Sequence, residues 1–425
     1  MYQPNAAHHR SWVNVSPDSD FSIQNLPFGI FTMSQRLPSL CSAIGDYIVD
    51  LKAVFDLGYF HTIDGLSGDV FTQKHLNHFI ELGKNVTNAV RLRLSQILNT
   101  NFPENAQKEA SQILILKSEV QLLLPLEIGD YTDFYSSRQH AFNVGSMFRD
   151  AANALLPNWL HLPVGYHGRA SSIVVSETPI VRPHGQSKLP NIEQPVFGAT
   201  KKLDFELEMA FVVGKNTNMG QAISVEQADD YIFGLALFND WSARDIQAWE
   251  YVPLGPFLGK NFASTLAPWV VTLEALEPFR VANPVQEPRP LSYLQSADFC
   301  TYDVNLTVTI QSETMENPQI ISASNFKNMY WNMRQQLAHH TVNGCNVRVG
   351  DLCASGTISG EQRDSFGSML ELAWQGTQPL SLSDGSQRSF VEDGDTITLS
   401  GFAEKDGVRV GFGEASGKIS AARKS

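Results

Sequence analysis

Leu203-Asp204-Phe205-Glu206-Leu207-Glu208-Met209-Ala210-Phe211 alternates apolar and acidic side chains. That period of two belongs to a β-strand, in which Asp204, Glu206 and Glu208 share one face and the apolar set takes the other. The acidic face has two readings. It is a solvated strand face, or its carboxylates converge and their repulsion is offset by a divalent cation. An all-oxygen ligand set suits Mg²⁺, Ca²⁺ or Mn²⁺ better than Zn²⁺.

The same periodicity spreads outward through residues 202–213 and 302–310. Asp393-Gly394 and Asp406-Gly407 separate β-rich runs and read as hairpins. The proline-rich tracts 179–195 and 278–290 read as long surface loops. The larger part of the chain is therefore expected to be mainly β with a few helices. Upstream, residues 21–57 suggest short strands. Leu76, Phe79, Ile80, Gly83, Val86, Val90, Leu94 and Ile97 recur at steps of three and four, predicting one amphipathic helix. A second helix is expected over 103–114, and residues 1–20 read as a polar arm. The boundary is expected near 122–128, dividing the chain into 1–122 and 123–425.

The 425 residues are 43% hydrophobic and 18% charged, as in an ordinary globular protein long enough for two or three domains. A net charge of −13 argues against nucleic acid and anionic membrane as partners. Placed Arg and Lys still allow a small anionic substrate. Cys41, Cys300, Cys345 and Cys353 show no zinc spacing and read as reduced, buried thiols. The start MYQPNAAHHRSW lacks a signal-peptide pattern, and no run is long and apolar enough to span a bilayer. A cytoplasmic location is expected.

Some motifs fail. Gly411-Phe412-Gly413-Glu414-Ala415-Ser416-Gly417-Lys418 resembles a phosphate loop, but Phe412, Ser416 and Ile419 break both fingerprints, leaving hairpin glycines. Neither H-E-x-x-H nor G-x-S-x-G occurs.

Three further stretches can carry chemistry. In Phe238-Asn239-Asp240-Trp241-Ser242-Ala243-Arg244-Asp245-Ile246-Gln247-Ala248-Trp249-Glu250-Tyr251, an apolar run ends at Asp240 and a helix is expected to follow. Arg244, Gln247 and Tyr251 then share a face suited to a carboxylate or oxyanion, or form an ordinary exposed helix face. Leu254-Gly255-Pro256-Phe257-Leu258-Gly259-Lys260 presents a Lys from a Gly/Pro loop. In Gly129-Asp130-Tyr131-Thr132-Asp133-Phe134-Tyr135-Ser136-Ser137-Arg138-Gln139-His140, Ser136 or Ser137 can cap a helix that carries His140 and ends near Arg149. A lone helical His is usually structural. Glu371, amid apolar residues in an expected strand, must be paired or have a shifted pKa.

These stretches, with Asp20-Phe21-Ser22-Ile23-Gln24-Asn25-Leu26-Pro27 and segments at 155–172, 325–330, 355–360, 365–371 and 408–413, closely resemble the fumarylacetoacetase family over nearly the whole chain. The resemblance implies a small SH3-like N-terminal barrel, a larger β-roll catalytic domain, and a homodimer. It implies a Mg²⁺- or Ca²⁺-dependent enzyme that hydrolyses a carbon–carbon bond of a small anionic diketo acid, giving fumarate and acetoacetate in tyrosine and phenylalanine catabolism. By position, Asp133, Glu206, Glu208 and Asp240 match the cation ligands, with Lys260 and Ser264 beside them. His140 matches the general base and Glu371 its orienting carboxylate. Arg244, Gln247 and Lys260 match the groups that stabilise negative charge. Tyr135, Arg149, Tyr166, Gln247, Tyr251 and Thr357 match substrate contacts. Ser264 departs from the Thr expected there but keeps the hydroxyl. The alternatives are a related acylpyruvate hydrolase, decarboxylase or isomerase on the same fold, and a non-catalytic metal-binding scaffold.

Overall fold

The computed structural model describes residues 2–34, 36–188, 193–296 and 300–424. Its first part holds a five-stranded antiparallel sheet, in the order Leu114–Leu116, Tyr47–Asp50, Arg36–Ile44, Phe28–Met33, Gln121–Leu123. The expected strands are present, so this is the small β unit anticipated. Residue 51 onward departs from that reading: Asp50 caps a short helix, Leu51–Asp56. The stripe from Leu76 to Ile97 is two helices, Asn77–Glu81 and Lys84–Leu98. Gly83 lies between them at φ 83, which a helix cannot continue through. The helix expected over 103–114 shrinks to a 3₁₀ turn at Gln107–Glu109 followed by one α turn at Ala110–Ile113, because Leu114 leaves to pair with Val49.

This unit shares a core with the rest of the chain. Phe28 is fully buried, and its ring packs 4.8 Å from Phe79 and 6.2 Å from Phe233. Phe28 and Val270 also exchange backbone hydrogen bonds of 3.0 and 2.9 Å.

The remainder is mostly β. A large sheet runs Gly165–Gly168, Tyr131–Phe134, Leu352–Ala354, Leu207–Val213, Ile232–Asn239, Ser264–Leu266, Ile173–Val175, with Val271–Thr272 also on Ile232–Asn239. A second sheet runs Gln319–Asn325, Asn305–Gln311, Thr396–Lys405, Val408–Ser420, Ile180–Val181. Met209, Phe211 and Val213 face the core formed with that second sheet, and Ala210 and Val212 face the core shared with the N-terminal unit. All seven residues of Leu207–Val213 are buried, so the solvated-face reading of the acidic stretch does not hold.

The strand expected across 202–213 is interrupted. Leu203–Asp204 pairs with Ser242–Ala243, and the chain resumes at Leu207. Between them the Glu206 amide donates to the Asn239 side chain at 3.0 Å instead of to a ladder carbonyl.

Other expectations are corrected too: Cys41, Cys300 and Cys353 are buried as expected, but Cys345 is exposed. The proline tract at 179 contains Ile180–Val181 and His184–Ser187, the latter paired with Val196–Ala199; its residues 189–192 lie outside the described residues. Pro179 and Pro183 flank these strands rather than sit in a ladder, where a missing N–H would matter. The tract at 278 contributes Arg280–Val281, paired with Thr301–Tyr302. Asp406-Gly407 is a true hairpin, both residues at positive φ, joining Lys405 to Val408. Asp393-Gly394 instead leads from Gln387–Arg388, which pairs with Leu380–Ser381, into Thr396–Lys405. The glycines of 411–418 lie inside the strand Val408–Ser420 beyond its hairpin, beside a register shift at Ser400/Phe402.

Candidate active site

Register brings the acids together. The pairing Leu207↔Asn239 carries Glu206 to the level of Asp240, while parallel pairing of Leu352–Ala354 with Tyr131–Phe134 aligns Asp133 on the other side. Asp133, Glu206, Glu208 and Asp240 are all buried, and each offers an oxygen within 4.8 Å of the others.

Two cations reach them. Lys260 Nζ donates to Glu206 Oε2 at 2.6 Å and Asp240 Oδ2 at 2.7 Å. Arg244 Nη1 lies 2.7 Å from Glu206 Oε1, while its Nε donates to Asp204 at 2.8 Å. Ser264 Oγ donates to Asp240 Oδ1 at 2.7 Å, Tyr166 donates to Asp240 Oδ2 at 3.4 Å, and the Gly356 amide donates to Glu208 Oε2 at 3.0 Å. Asp133 Oδ1 and Glu208 Oε1 are buried with no hydrogen-bond partner.

The charge is uneven in the same way. Burial, then Asp240, pushes the Asp133 carboxyl well up, and burial, then Asp133, does the same to Glu208. Burial also acts to raise Glu206, but Lys260 and Arg244 bring it below the ordinary carboxylate range. Four carboxylates against Lys260 and an Arg244 shared with Asp204, with two orphaned oxygens between them, fit a hard divalent cation. This buried acidic cluster can hold a metal.

A second constellation lies beside it. Ser137 Oγ accepts from the His140 amide at 3.3 Å and starts the helix Arg138–Phe148, which ends at Arg149 as expected. His140 Nδ1 meets Glu371 Oε2 at 2.7 Å, both residues buried. Glu371 is not in a strand: Ser368 caps a single turn, Met369–Leu372, that turns its carboxylate inward. Burial acts to raise the Glu371 carboxyl, but His140, Asn143 and Ser368 bring it below the ordinary range. An ionised Glu371 only accepts, so Nδ1 is the nitrogen that donates to it, and Nε2 takes no part in that bond. The Tyr135 ring meets His140 edge-on at 5.2 Å.

The groups expected to stabilise negative charge are adjacent. Arg244 Nη1 also lies 3.4 Å from Gln247 Oε1, and Arg244 Nη2 and Thr357 Oγ1 are buried without partners. Two expected substrate contacts stand apart. Tyr251 is exposed, and Arg149 gives Nε and Nη2 to the carbonyls of Asn153 and Ala154 at 3.1 and 2.6 Å.

Sequence reasoning missed the supports. Asn143 donates to Glu371 Oε1 at 2.8 Å, Ser368 donates to Oε2 at 2.8 Å, and Ser359 Oγ lies 3.0 Å from both oxygens. Asn143 is one helical turn from His140, a signal that was there to read. Asp204, on the acidic stretch itself, serves Arg244 and accepts from the amides of Met369 and Leu370 at 2.7 and 3.0 Å. A surface groove of about 980 Å³ beside Phe21, Lys117 and Trp269 contains none of these side chains.

Known proteins are similar to this chain along nearly its whole length. A family model described as fumarylacetoacetate (FAA) hydrolase C-terminal matches residues 130–419, and one described as fumarylacetoacetase N-terminal matches residues 24–125. The fumarylacetoacetase of Homo sapiens is 52% identical over 414 residues, covering 96% of this chain and 98% of that protein. The fumarylacetoacetase of Arabidopsis thaliana is 50% identical over 413 residues, with 96% and 98% covered. A solved fumarylacetoacetate hydrolase from Exiguobacterium antarcticum superimposes with a TM-score of 0.52 at 17% identity, covering 93% of this chain and 99% of that one, which shows a shared fold. The chain therefore belongs to the fumarylacetoacetase family.

Proposed function

We propose that this chain hydrolyses the carbon–carbon bond of 4-fumarylacetoacetate to fumarate and acetoacetate, in tyrosine and phenylalanine catabolism. The observation that carries the reading is the buried His140–Glu371 pair beside a four-carboxylate cluster, in a chain about half identical to fumarylacetoacetases along nearly its full length. That identity disfavours both an acylpyruvate-type enzyme and an inert scaffold.

His140 Nε2 takes a proton from water, and Glu371 holds the ring and offsets its growing charge, an effect typically worth about 10²–10⁴-fold. The oxygen of that water bonds to the carbonyl carbon. When the carbon–carbon bond breaks, its electron pair leaves as a carbanion or enolate, which then takes up a proton. Arg244, Gln247 and Lys260 surround the place where that charge grows, and the unpartnered Arg244 Nη2 is a donor held ready for it. Tyr135, Tyr166, Tyr251 and Thr357 are proposed to orient the substrate, with Arg149 turning from its two carbonyls to the distal carboxylate. A divalent ion, proposed as Mg²⁺ or Ca²⁺ on Asp133, Glu206, Glu208 and Asp240 with Lys260 and Ser264 alongside, would supply positive charge that polarises the diketone oxygens.

We also propose a division between 1–122 and 123–425, a cytoplasmic location and a homodimer. Among the described residues no helix is long and apolar enough to cross a membrane. The test is loss of the diketo-acid enol absorbance on mixing substrate, Mg²⁺ and purified protein. Well-folded protein that cleaves no diketo acid would overturn the reading.

A further inference from the structure

Lys260 has an unusual problem of placement. Its Nζ must sit within 2.6–2.7 Å of two carboxylates, yet its backbone follows a strap, residues 251–259, that has little packing of its own. Leu254 is 96% exposed, Val252 67% and Phe257 66%. Apolar burial therefore does not set where this strap delivers its last residue.

Hydrogen bonds do. Glu250, the last residue of the helix Arg244–Glu250, places one oxygen, Oε1, 2.8 Å from the Phe257 amide and 2.7 Å from the Gly259 amide. At the other end of the same helix, the Ala243 amide donates to the Gly259 carbonyl at 2.8 Å. Phe257, fixed by Glu250, in turn accepts from the Lys260 and Asn261 amides at 3.1 and 2.9 Å. Gly259 lies so close to the helix that a Cβ there would stand 2.8 Å from Gln247 Cβ and 2.9 Å from its backbone. The strap is thus clasped to the helix that carries Arg244 and Gln247. The three groups assigned to the growing negative charge, which come from two separated stretches, are held as one body.

We propose that Glu250 is a positioning residue for the reaction, its carboxylate fixing Lys260 relative to Arg244 and Gln247. This rests on the function proposed above. Because Lys260 acts on charge that develops only as the bond breaks, its displacement lowers kcat and leaves KM nearly unchanged. A misplacement of about 1 Å can cost about 100-fold.

The test compares Glu250→Ala, Glu250→Gln, Lys260→Met and the double variant E250A/K260M at saturating Mg²⁺, with kcat, KM and the thermal midpoint measured for each. The expected results are a kcat about 10–100-fold lower for E250A with KM within about 3-fold, and E250Q close to wild type because its amide oxygen still accepts both N–H groups. In the K260M background, E250A should cost little more, since the two substitutions then remove the same effect. If E250A does not fold, Glu250→Asp, which keeps the charge but withdraws the oxygen by one methylene, carries the same readings. Wild-type kcat in E250A, an E250Q as slow as E250A, or additive losses in the double variant would each overturn the proposal. A wild-type protein that cleaves no diketo acid would overturn the function instead, so the two failures are distinguishable.

Discussion

Glu371 and Glu208 are both wholly buried carboxylates in one site, and the fold treats them oppositely. Around Glu371 stand His140, Asn143, Ser359 and Ser368, so both of its oxygens have donors from the protein. Around Glu208 the protein provides one amide, from Gly356, and leaves Oε1 without a partner while Asp133, Glu206 and Asp240 crowd in. The first arrangement is complete and its acid is stabilised in the charged form. The second is incomplete, and its neutralisation has to come from outside the chain. A carboxylate whose donors are all internal needs nothing further to stay charged; one left short of donors among like charges is where an ion would fit.

The largest effect expected from that contrast is on removing the ion. Chelation should abolish cleavage, with Mg²⁺ or Ca²⁺ restoring it. It should also lower stability, because an ion at about 100 times its Kd adds about 2.7 kcal/mol. Calorimetry and the thermal midpoint with and without chelator check both. A midpoint that does not respond to the ion would mean that the cluster is neutralised by protons alone.

Next in size is the internal arrangement. His140→Ala should lower kcat by about 10²–10⁴-fold while cation affinity stays near wild type, read by steady-state kinetics and titration calorimetry. Turnover that survives this substitution intact would remove His140 as the base.

The two glutamates themselves come third. Glu371→Gln keeps one acceptor oxygen but sets an N–H₂ against donors that a carboxylate satisfied, and should cost about 1–3 kcal/mol in denaturant unfolding. The cation-free protein should tolerate Glu208→Gln within about 1 kcal/mol, since an amide still accepts from Gly356 and one repelling acid is gone. pH separates them too. A folded-state pKa below the ordinary value of about 4.3 gives Glu371 a stabilising contribution that is present above that value. It is lost as pH falls through the lower, folded pKa. Acid unfolding of Glu371→Gln should therefore have a shallower slope below about pH 4.

What could be read beforehand follows the same line. The alternation from Leu203 to Phe211 announces a strand with an acidic side, because side-chain direction alternates whatever surrounds the strand. It does not announce that the acidic side is buried; that depends on the strand Tyr131–Phe134, far off in sequence, and on the register with Ile232–Asn239. His140 could be placed on a capped helix from local residues alone. Glu371 could not be placed on a turn, because its apolar neighbours fit a buried strand equally well and its partners Asn143 and Ser359 meet it only in the fold. Gly83 shows the same limit at smaller scale: the apolar stripe runs unbroken through it while its backbone conformation ends the helix. Residue-by-residue similarity to a known family brought in the role expected of Glu371, which periodicity had no means to supply.

The smallest expected effect lies at Ser264. Its hydroxyl donates to Asp240 Oδ1 at 2.7 Å, at the start of the strand Ser264–Leu266 and with only 3% of the residue exposed. Groups that orient a ligand in this way typically contribute about 10–100-fold to metal affinity. Asp240 also keeps Lys260 on its other oxygen, so Ser264→Ala should fall at the low end, about 10-fold weaker in cation titration. Ser264→Thr retains the hydroxyl and adds one methyl to a strand position that favours β-branched side chains, so affinity should remain within about 3-fold. If Ser264→Thr instead weakens binding as much as Ser264→Ala, the site is limited by packing around Asp240. If neither changes affinity, Lys260 and Tyr166 hold Asp240 in place, and the hydroxyl contributes only to the strand.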